Sequence, residues 1–174
     1  MTQVQKVERV AVRFAGDSGD GMQLTGDRFT ADTAVVGSDF ATLPNYPAEI
    51  RAPAGTLNGV SSFQVQFADY DIRTPGELVD VLVAMNPAAL KSNLKDLAPG
   101  GTIIVDSGDF TNRNLTRVGY TSNPIEDGSL SSYAVHALDL TGAAVAAVTP
   151  FGLNRKDASR TKNMYALGLV TWLF

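Results

Sequence analysis

Cysteine is absent from the 174-residue chain. Disulfides, zinc–thiolate sites, thiolate catalysis and cysteine-ligated iron–sulfur clusters are therefore excluded from this polypeptide. Histidine occurs once, as His136 in the run Tyr133-Ala134-Val135-His136-Ala137-Leu138, with no triad-like Ser/Asp/Glu arrangement. It reads as a structural or solvent-facing residue. Charge is also scarce: 18% of residues are charged against 44% hydrophobic, and the net charge is −4. No basic cluster exceeds Arg155-Lys156, which argues against nucleic acid as the main partner. A surface this poor in charge suggests that part of it is covered. Long apolar runs are missing too, since residues 164–174 span about half of the roughly 20 residues a membrane helix needs. The polar, mixed-charge segment 1–9 lacks the apolar core of a signal peptide. The expectation is a cytoplasmic protein with no membrane partner, and a single domain at this length.

The run Gly16-Asp17-Ser18-Gly19-Asp20-Gly21-Met22 follows a strand-like segment and opens a helix-like one. It reads as a βα turn where backbone N–H groups converge and a ligand or partner can approach closely. Both familiar nucleotide motifs fail in it. A dinucleotide fingerprint from Gly19 needs glycine where Leu24 stands, and a Walker A loop from Gly16 finds Met22 and Gln23 in place of Lys and Ser/Thr. Asp17 and Asp20 would also repel a phosphate on the loop. Asp39 lies near the spacing of a ribose-binding acid, but without the fingerprint that spacing reads as chance.

Hydrophobic periodicity predicts strands at 7–14, near 40–43, at 61–68, 78–85, 102–105 and 134–140, and helices at 23–36, 88–97, 142–148 and 156–174. In 61–68, Phe63, Val65 and Phe67 alternate with Ser62, Gln64 and Gln66, so one face is expected to be wetter. Asn86-Pro87 starts a helix and Pro99-Gly100-Gly101 stops it. Two successive strand–helix–strand passages imply a parallel sheet with right-handed crossovers. Residues 110–133 are less regular.

The loop 44–59 carries Pro44, Pro47, Pro53 and Gly55, and embeds Asn45, Tyr46, Glu49, Ile50, Arg51 and Leu57. Loops this long inside compact domains are usually functional or disordered, and its apolar residues argue against disorder. Arg51 suits a carboxylate or phosphate, with Glu49 beside it; the alternative is that both charges merely brace a rigid loop. Asp69/Asp71 and Asp106/Asp109 stand near strand ends, where carboxylates suggest magnesium or simply turn residues. Basic residues Arg155, Lys156, Arg160 and Lys162 crowd a helix start, against its dipole. Either something anionic neutralises them or they form a solvated face. The apolar end Leu169-Val170-Thr171-Trp172-Leu173-Phe174 suits a core helix or an interface.

Three segments together resemble the N-terminal γ domain of the α subunit of 2-oxoacid:ferredoxin oxidoreductases, specifically the 2-oxoglutarate type. They are Arg13-Phe14-Ala15-Gly16-Asp17-Ser18-Gly19-Asp20-Gly21-Met22 with Thr25-Gly26, the Pro47-Ala48-Glu49-Ile50-Arg51-Ala52-Pro53-Ala54-Gly55-Thr56 loop with Gly59-Val60-Ser61, and Arg155-Lys156 with Lys162-Asn163-Met164. The resemblance covers essentially the whole chain as one γ domain, 1–174. It implies a single-domain α/β fold, a Rossmann-like mostly parallel sheet flanked by helices. It also implies oxidative decarboxylation of a 2-oxoacid to its acyl-coenzyme A, with thiamine diphosphate, magnesium, a [4Fe-4S] cluster and ferredoxin as electron acceptor. In that family the thiamine-fold domains of the α subunit follow the γ domain, and a β subunit carries the diphosphate site and the cluster cysteines. The implied site residues here are Gly16, Ser18, Gly19, Asp20, Gly21, Asn45, Glu49 and Arg51, walling the thiamine and coenzyme A site, with no catalytic residue and no metal ligand in this chain. Two alternatives stay open: a free-standing nucleotide- or coenzyme A-binding module, and an assembly scaffold docking through the terminal helix.

Overall fold

The computed structural model describes residues 8–49 and 51–174; Val7, the expected start of the first strand, and Ile50 of the long loop lie outside the described residues. Six strands form one sheet: β1 (Arg9–Asp17), β2 (Asp39–Asn45), β3 (Val60–Ala68), β4 (Val79–Ala84), β5 (Leu97–Asp106) and β6 (Ala134–Leu138). Their spatial order is β2-β3-β1-β4-β5-β6. Neighbours from β1 through β4 and β5 to β6 pair in parallel. β3 alone runs against both its neighbours, so the sheet is mostly parallel.

The parallel strands are apolar on both faces, which a sheet covered on both sides requires. Along β1, Val10, Val12 and Phe14 join one buried cluster, while Ala11 and Ala15 join the other. Among the described residues there are six helices, α1 (Met22–Val36), α2 (Pro87–Asn93), α3 (Asn112–Arg117), α4 (Leu140–Val148), α5 (Arg155–Arg160) and α6 (Lys162–Leu173), and all but α5 send side chains into these two clusters. Phe29 of α1, Leu140 of α4 and Val170 of α6 pack into the first cluster; Leu90 of α2 and Leu115 of α3 pack into the second. The result is a three-layer α/β domain. Phe29 anchors α1, meeting Phe14 and Phe67 edge-on with ring centroids 5.8 and 5.5 Å away. At Gly26 the helix comes so close to β3 that an added Cβ would lie 2.1 Å from the Phe63 ring.

Four expectations need correction. The polar face of β3 is not wet: Gln64 and Gln66 are 1% and 5% exposed. Gln64 is covered because its Nε2 donates to the Pro75 and Gly76 carbonyls, while its Oε1 accepts from Arg13. The helix expected over 88–97 ends at Asn93, because Leu97 is recruited into pairing with Val79. Pro99, Gly100 and Gly101 consequently fall inside β5, not at a helix stop. The terminal helix is two helices, broken at Thr161. The start of α2 follows the Asn-Pro signal, with Asn86 Oδ1 accepting the Ala89 N–H at 2.8 Å.

Candidate functional site

From β1 the chain passes through α1 toward β2 on one side of the sheet, and from β4 through α2 toward β5 on the other. β1 and β4 are neighbours, so their carboxyl ends flank a topological switch point, where α/β sheets open a crevice. The glycine turn sits there. β1 extends through Gly16 and Asp17, and Gly21 caps α1 in the left-handed conformation with φ 74°. Three of the turn's amides are donated inside the chain: Asp17 N–H to Asp20 Oδ2, Ser18 N–H to the Gly59 carbonyl and Asp20 N–H to the Asp17 carbonyl. Two of its glycines make room for other side chains. An added Cβ at Gly16 would lie 2.8 Å from Asp20 Oδ2, and one at Gly21 would lie 2.5 Å from Asn163 Nδ2. Gly19 faces open space.

The crevice is filled by an ionic knot around Lys162, at the start of α6. Its Nζ lies 3.4 Å from Asp20 Oδ1, 3.3 Å from Asp109 Oδ2 and 4.0 Å from Asp106 Oδ2. Asp106 ends β5, is fully buried, and also accepts from the Thr141 N–H and hydroxyl. Burial pulls the Lys162 pKa down, but Asp20, Asp109 and Asp106 together push it above the usual 10.5. Asp109 is pushed above the ordinary carboxyl value by burial, against the pull of Lys162. For Lys162, the anion expected beside the basic segment is thus the chain's own. Among the described residues no group of three or more His, Cys, Asp or Glu side chains is arranged to hold a metal.

Beside the crevice lies the 44–59 loop. Asp17 accepts the Gly55 N–H with both carboxylate oxygens at 2.9 Å, and Arg117 Nη1 donates to the Ala54 carbonyl at 2.8 Å. At the loop's root the Asn45 carbonyl accepts from Gln23 Nε2 and the Ser61 hydroxyl. On its other side the loop borders a cavity of about 600 Å³ lined by Asn45, Tyr46 and Leu57, by Ser92 of α2, by Lys95 and Asp96 just beyond it, and by Arg13. Arg13 is 8% exposed. Its guanidinium donates to Gln64, Asn93 and Asp96 through four hydrogen bonds, leaving one of its five N–H groups over.

The expected site residues therefore divide among three places. Gly16, Ser18, Gly19, Asp20 and Gly21 stand at the switch point, and Asn45 is at the cavity wall. Glu49 and Arg51 are exposed on the loop and are not joined by an ion pair among the described residues. Sequence reasoning missed Arg13, although a cation between Val12 and Phe14 in an apolar strand is the kind of residue that is buried only when paired. It also missed the anchoring role of Asp17, because a contact with Gly55 spans 38 positions.

Fold and site define a doubly wound α/β domain whose strand-end crevice is closed by its own side chains and which opens a cavity beside a long loop. A family described as pyruvate ferredoxin/flavodoxin oxidoreductase has a model that matches residues 11–174, and the chain belongs to that family. It is 63% identical over 170 residues to the 2-oxoglutarate oxidoreductase subunit KorA of Mycobacterium tuberculosis, a match covering 98% of this chain and 26% of that protein. The chain thus spans about a quarter of the length of that relative. A structure of 2-oxoglutarate:ferredoxin oxidoreductase from Magnetococcus marinus, with 2-oxoglutarate, coenzyme A and succinyl-CoA bound, shares 22% identity and a TM-score of 0.66 over 94% of this chain and 24% of that one. The keto/oxoacid ferredoxin oxidoreductase γ subunit of Geobacter sulfurreducens shares 22% identity and a TM-score of 0.60 over 93% of this chain and 74% of that one. At such identities the two structures establish a shared fold. Among the described residues no helix is long and apolar enough to cross a membrane.

Proposed function

We propose that this chain, residues 1–174, acts as the γ domain of a 2-oxoglutarate:ferredoxin oxidoreductase, which decarboxylates the 2-oxoacid, passes the acyl group to coenzyme A and hands two electrons to ferredoxin. The observation that carries this reading is the 63% identity to a 2-oxoglutarate oxidoreductase subunit over almost the entire chain. Thiamine diphosphate would supply the carbanion chemistry, and a cluster the electron path. The residues of this chain do not fit those groups: it has no cysteine for a cluster, and its strand-end carboxylates are committed to Lys162 and to the 44–59 loop. Thiamine diphosphate, magnesium and the [4Fe-4S] cluster are accordingly assigned to thiamine-fold domains and to a cysteine-bearing β subunit.

The part left to this chain is to wall and orient. Asn45, Ser92, Lys95 and Arg13 line the cavity together with Asp96, whose carboxylate is already paired with Arg13; the donor chemistry left there, the Lys95 ammonium foremost, suits an anionic group. Coenzyme A brings such groups. Arg51 and Asn45 reach the ligand's anionic part in this reading, and Glu49 orients Arg51 once the loop meets the catalytic domains. The free-standing nucleotide module has less to recommend it, because the amides of Asp17, Ser18 and Asp20 are already engaged within the chain. In the assembled enzyme, Arg51→Ala is expected to raise the KM for coenzyme A at least several-fold. Unchanged turnover together with unchanged coenzyme A affinity would remove Arg51 from the site.

A further inference from the structure

The described residues of the long loop, 46–49 and 51–57, close on one another. Glu49 N–H donates to Asn58, Ala52 N–H to Glu49, and the Thr56 hydroxyl to the Pro53 carbonyl. An added Cβ on Gly59 would touch Ala52 and Pro53 at 3.3 Å, so the loop packs on its own backbone. Such a loop is compact and packed on itself, and contacts from outside join it to the rest of the domain. Among the described residues two side chains hydrogen-bond its tip, Asp17 to Gly55 and Arg117 to Ala54. They are unequal anchors. Asp17 ends β1, where the backbone pairs with β3; Arg117 reaches from the last turn of a six-residue helix on a long side chain.

We propose that Asp17 is a positioning residue whose carboxylate clamps the 46–57 loop, and thereby sets the wall of the 600 Å³ cavity, and that adding a proton to it loosens the clamp. Gly55 completes the device. Its φ of +74° favours glycine, and an added Cβ would stand 3.0 Å from Arg117 Nη1. The charged groups acting on Asp17 are Asp20 of the same turn and Lys162 of α6, the latter already shared with Asp106 and Asp109. Burial raises the Asp17 pKa above the ordinary value, the Gly55 N–H opposes that, and Asp20 adds to it. A doubly accepting carboxylate holds an amide more strongly than a neutral acid does, so the clamp weakens on the acid side of neutrality. The meaning of the clamp for coenzyme A rests on the function proposed above, whereas the clamp itself does not.

Hydrogen exchange read by mass spectrometry on the purified protein, with whatever partners accompany it, tests this. In Asp17→Ala, exchange in peptides covering 51–57 is expected to quicken at least tenfold while β4 stays protected. In the parent, loop exchange corrected for intrinsic rate is expected to quicken at least threefold from pH 7.5 to pH 5, and Asp17→Asn is expected to abolish that pH dependence. An unchanged loop in Asp17→Ala, or a loop that loosens only together with β4, overturns the clamp. Should Asp17→Ala not fold, equal pH dependence in the parent and Asp17→Asn overturns it. In assembled enzyme, a raised KM for coenzyme A at unchanged kcat in Asp17→Asn is the functional counterpart. A loosened loop with unaltered KM would count against the cavity's role, not against the clamp.

Discussion

Replacing Lys162 with methionine removes the one cation from a knot of three carboxylates while keeping an apolar stem of similar length. The ammonium lies 3.3, 3.4 and 4.0 Å from Asp109, Asp20 and Asp106. At an effective dielectric of about 20, each contact is worth roughly 4–5 kcal/mol of gross attraction. Most of that is offset by the several kcal/mol needed to strip water from a buried ammonium, which the variant recovers. What remains is the penalty of leaving Asp106, fully buried, and Asp20 without a counter-charge. Breaking such a group from one side costs about 3–5 kcal/mol, and the lower end applies because the Asp109 side chain is 39% exposed and screened. A loss of about 3 kcal/mol lowers Tm by roughly 6–12 °C in a domain of this size. Calorimetry at pH 7.5 and pH 5 measures it. The deficit should shrink at the lower pH, because carboxylates without a cation take up protons, Asp109 among the first. A Tm within about 2 °C of the parent at both pH values would refute the assignment of Lys162 as the keystone of the strand-end crevice.

Gly26→Ala places a methyl 2.1 Å from the Phe63 ring; overpacking of about 1–3 kcal/mol, at its upper end here, outweighs the roughly 1 kcal/mol that alanine adds to a helix. A net loss of about 2 kcal/mol is expected in urea unfolding, and a variant as stable as the parent would show that α1 does not press on β3 as described. The Lys162 pKa is raised in the fold, so its ammonium's contribution is fully present below 10.5 and is lost as pH climbs through the higher folded value. Asp17 and Asp109 carry the same sign in a lower pH window, since their folded values are also raised. Their folded values lie above 3.8, so the folded state holds their protons longer and their contribution declines as pH rises from 3.8 through those values. Urea midpoints of the parent against an Asp17→Asn/Asp109→Asn variant should therefore diverge to the parent's disadvantage between pH 4 and pH 7, and a gap independent of pH would contradict the shifts.

The central layer was legible because its signals are local. Val79–Ala84, apolar on both faces, and the Asn86-Pro87 start beside it are set by neighbours in sequence, and the six strands were placed to within a few residues. What escaped depends on distant partners. Gln64 and Gln66 alternate as a solvent face would, yet the 74–76 segment folds over them and takes their amide hydrogens. Gly100 and Gly101 look like a helix stop, but cross-strand pairing of Leu97 with Val79 outweighs that preference. The glycine turn is plain in the sequence, whereas the side chains that use the room its glycines leave are not: Gly16 admits Asp20 and Gly21 admits Asn163, a residue 142 positions further along the chain. The loop's composition marks it as more than a connector, but not the cavity that Asn45 borders, and nothing within the β1 strand announces the pairing of Arg13 with Asp96.

The proposed division of labour leaves this chain shaping a site whose reactive groups belong to other domains. Its most direct test is 2-oxoglutarate- and coenzyme A-dependent reduction of ferredoxin, measured for the 174-residue chain alone and for the assembly containing the thiamine-fold domains and the cysteine-bearing subunit. The account predicts turnover in the assembly and none in the isolated chain. Activity in the isolated chain, or an assembly that forms and reduces nothing with 2-oxoglutarate, would contradict it.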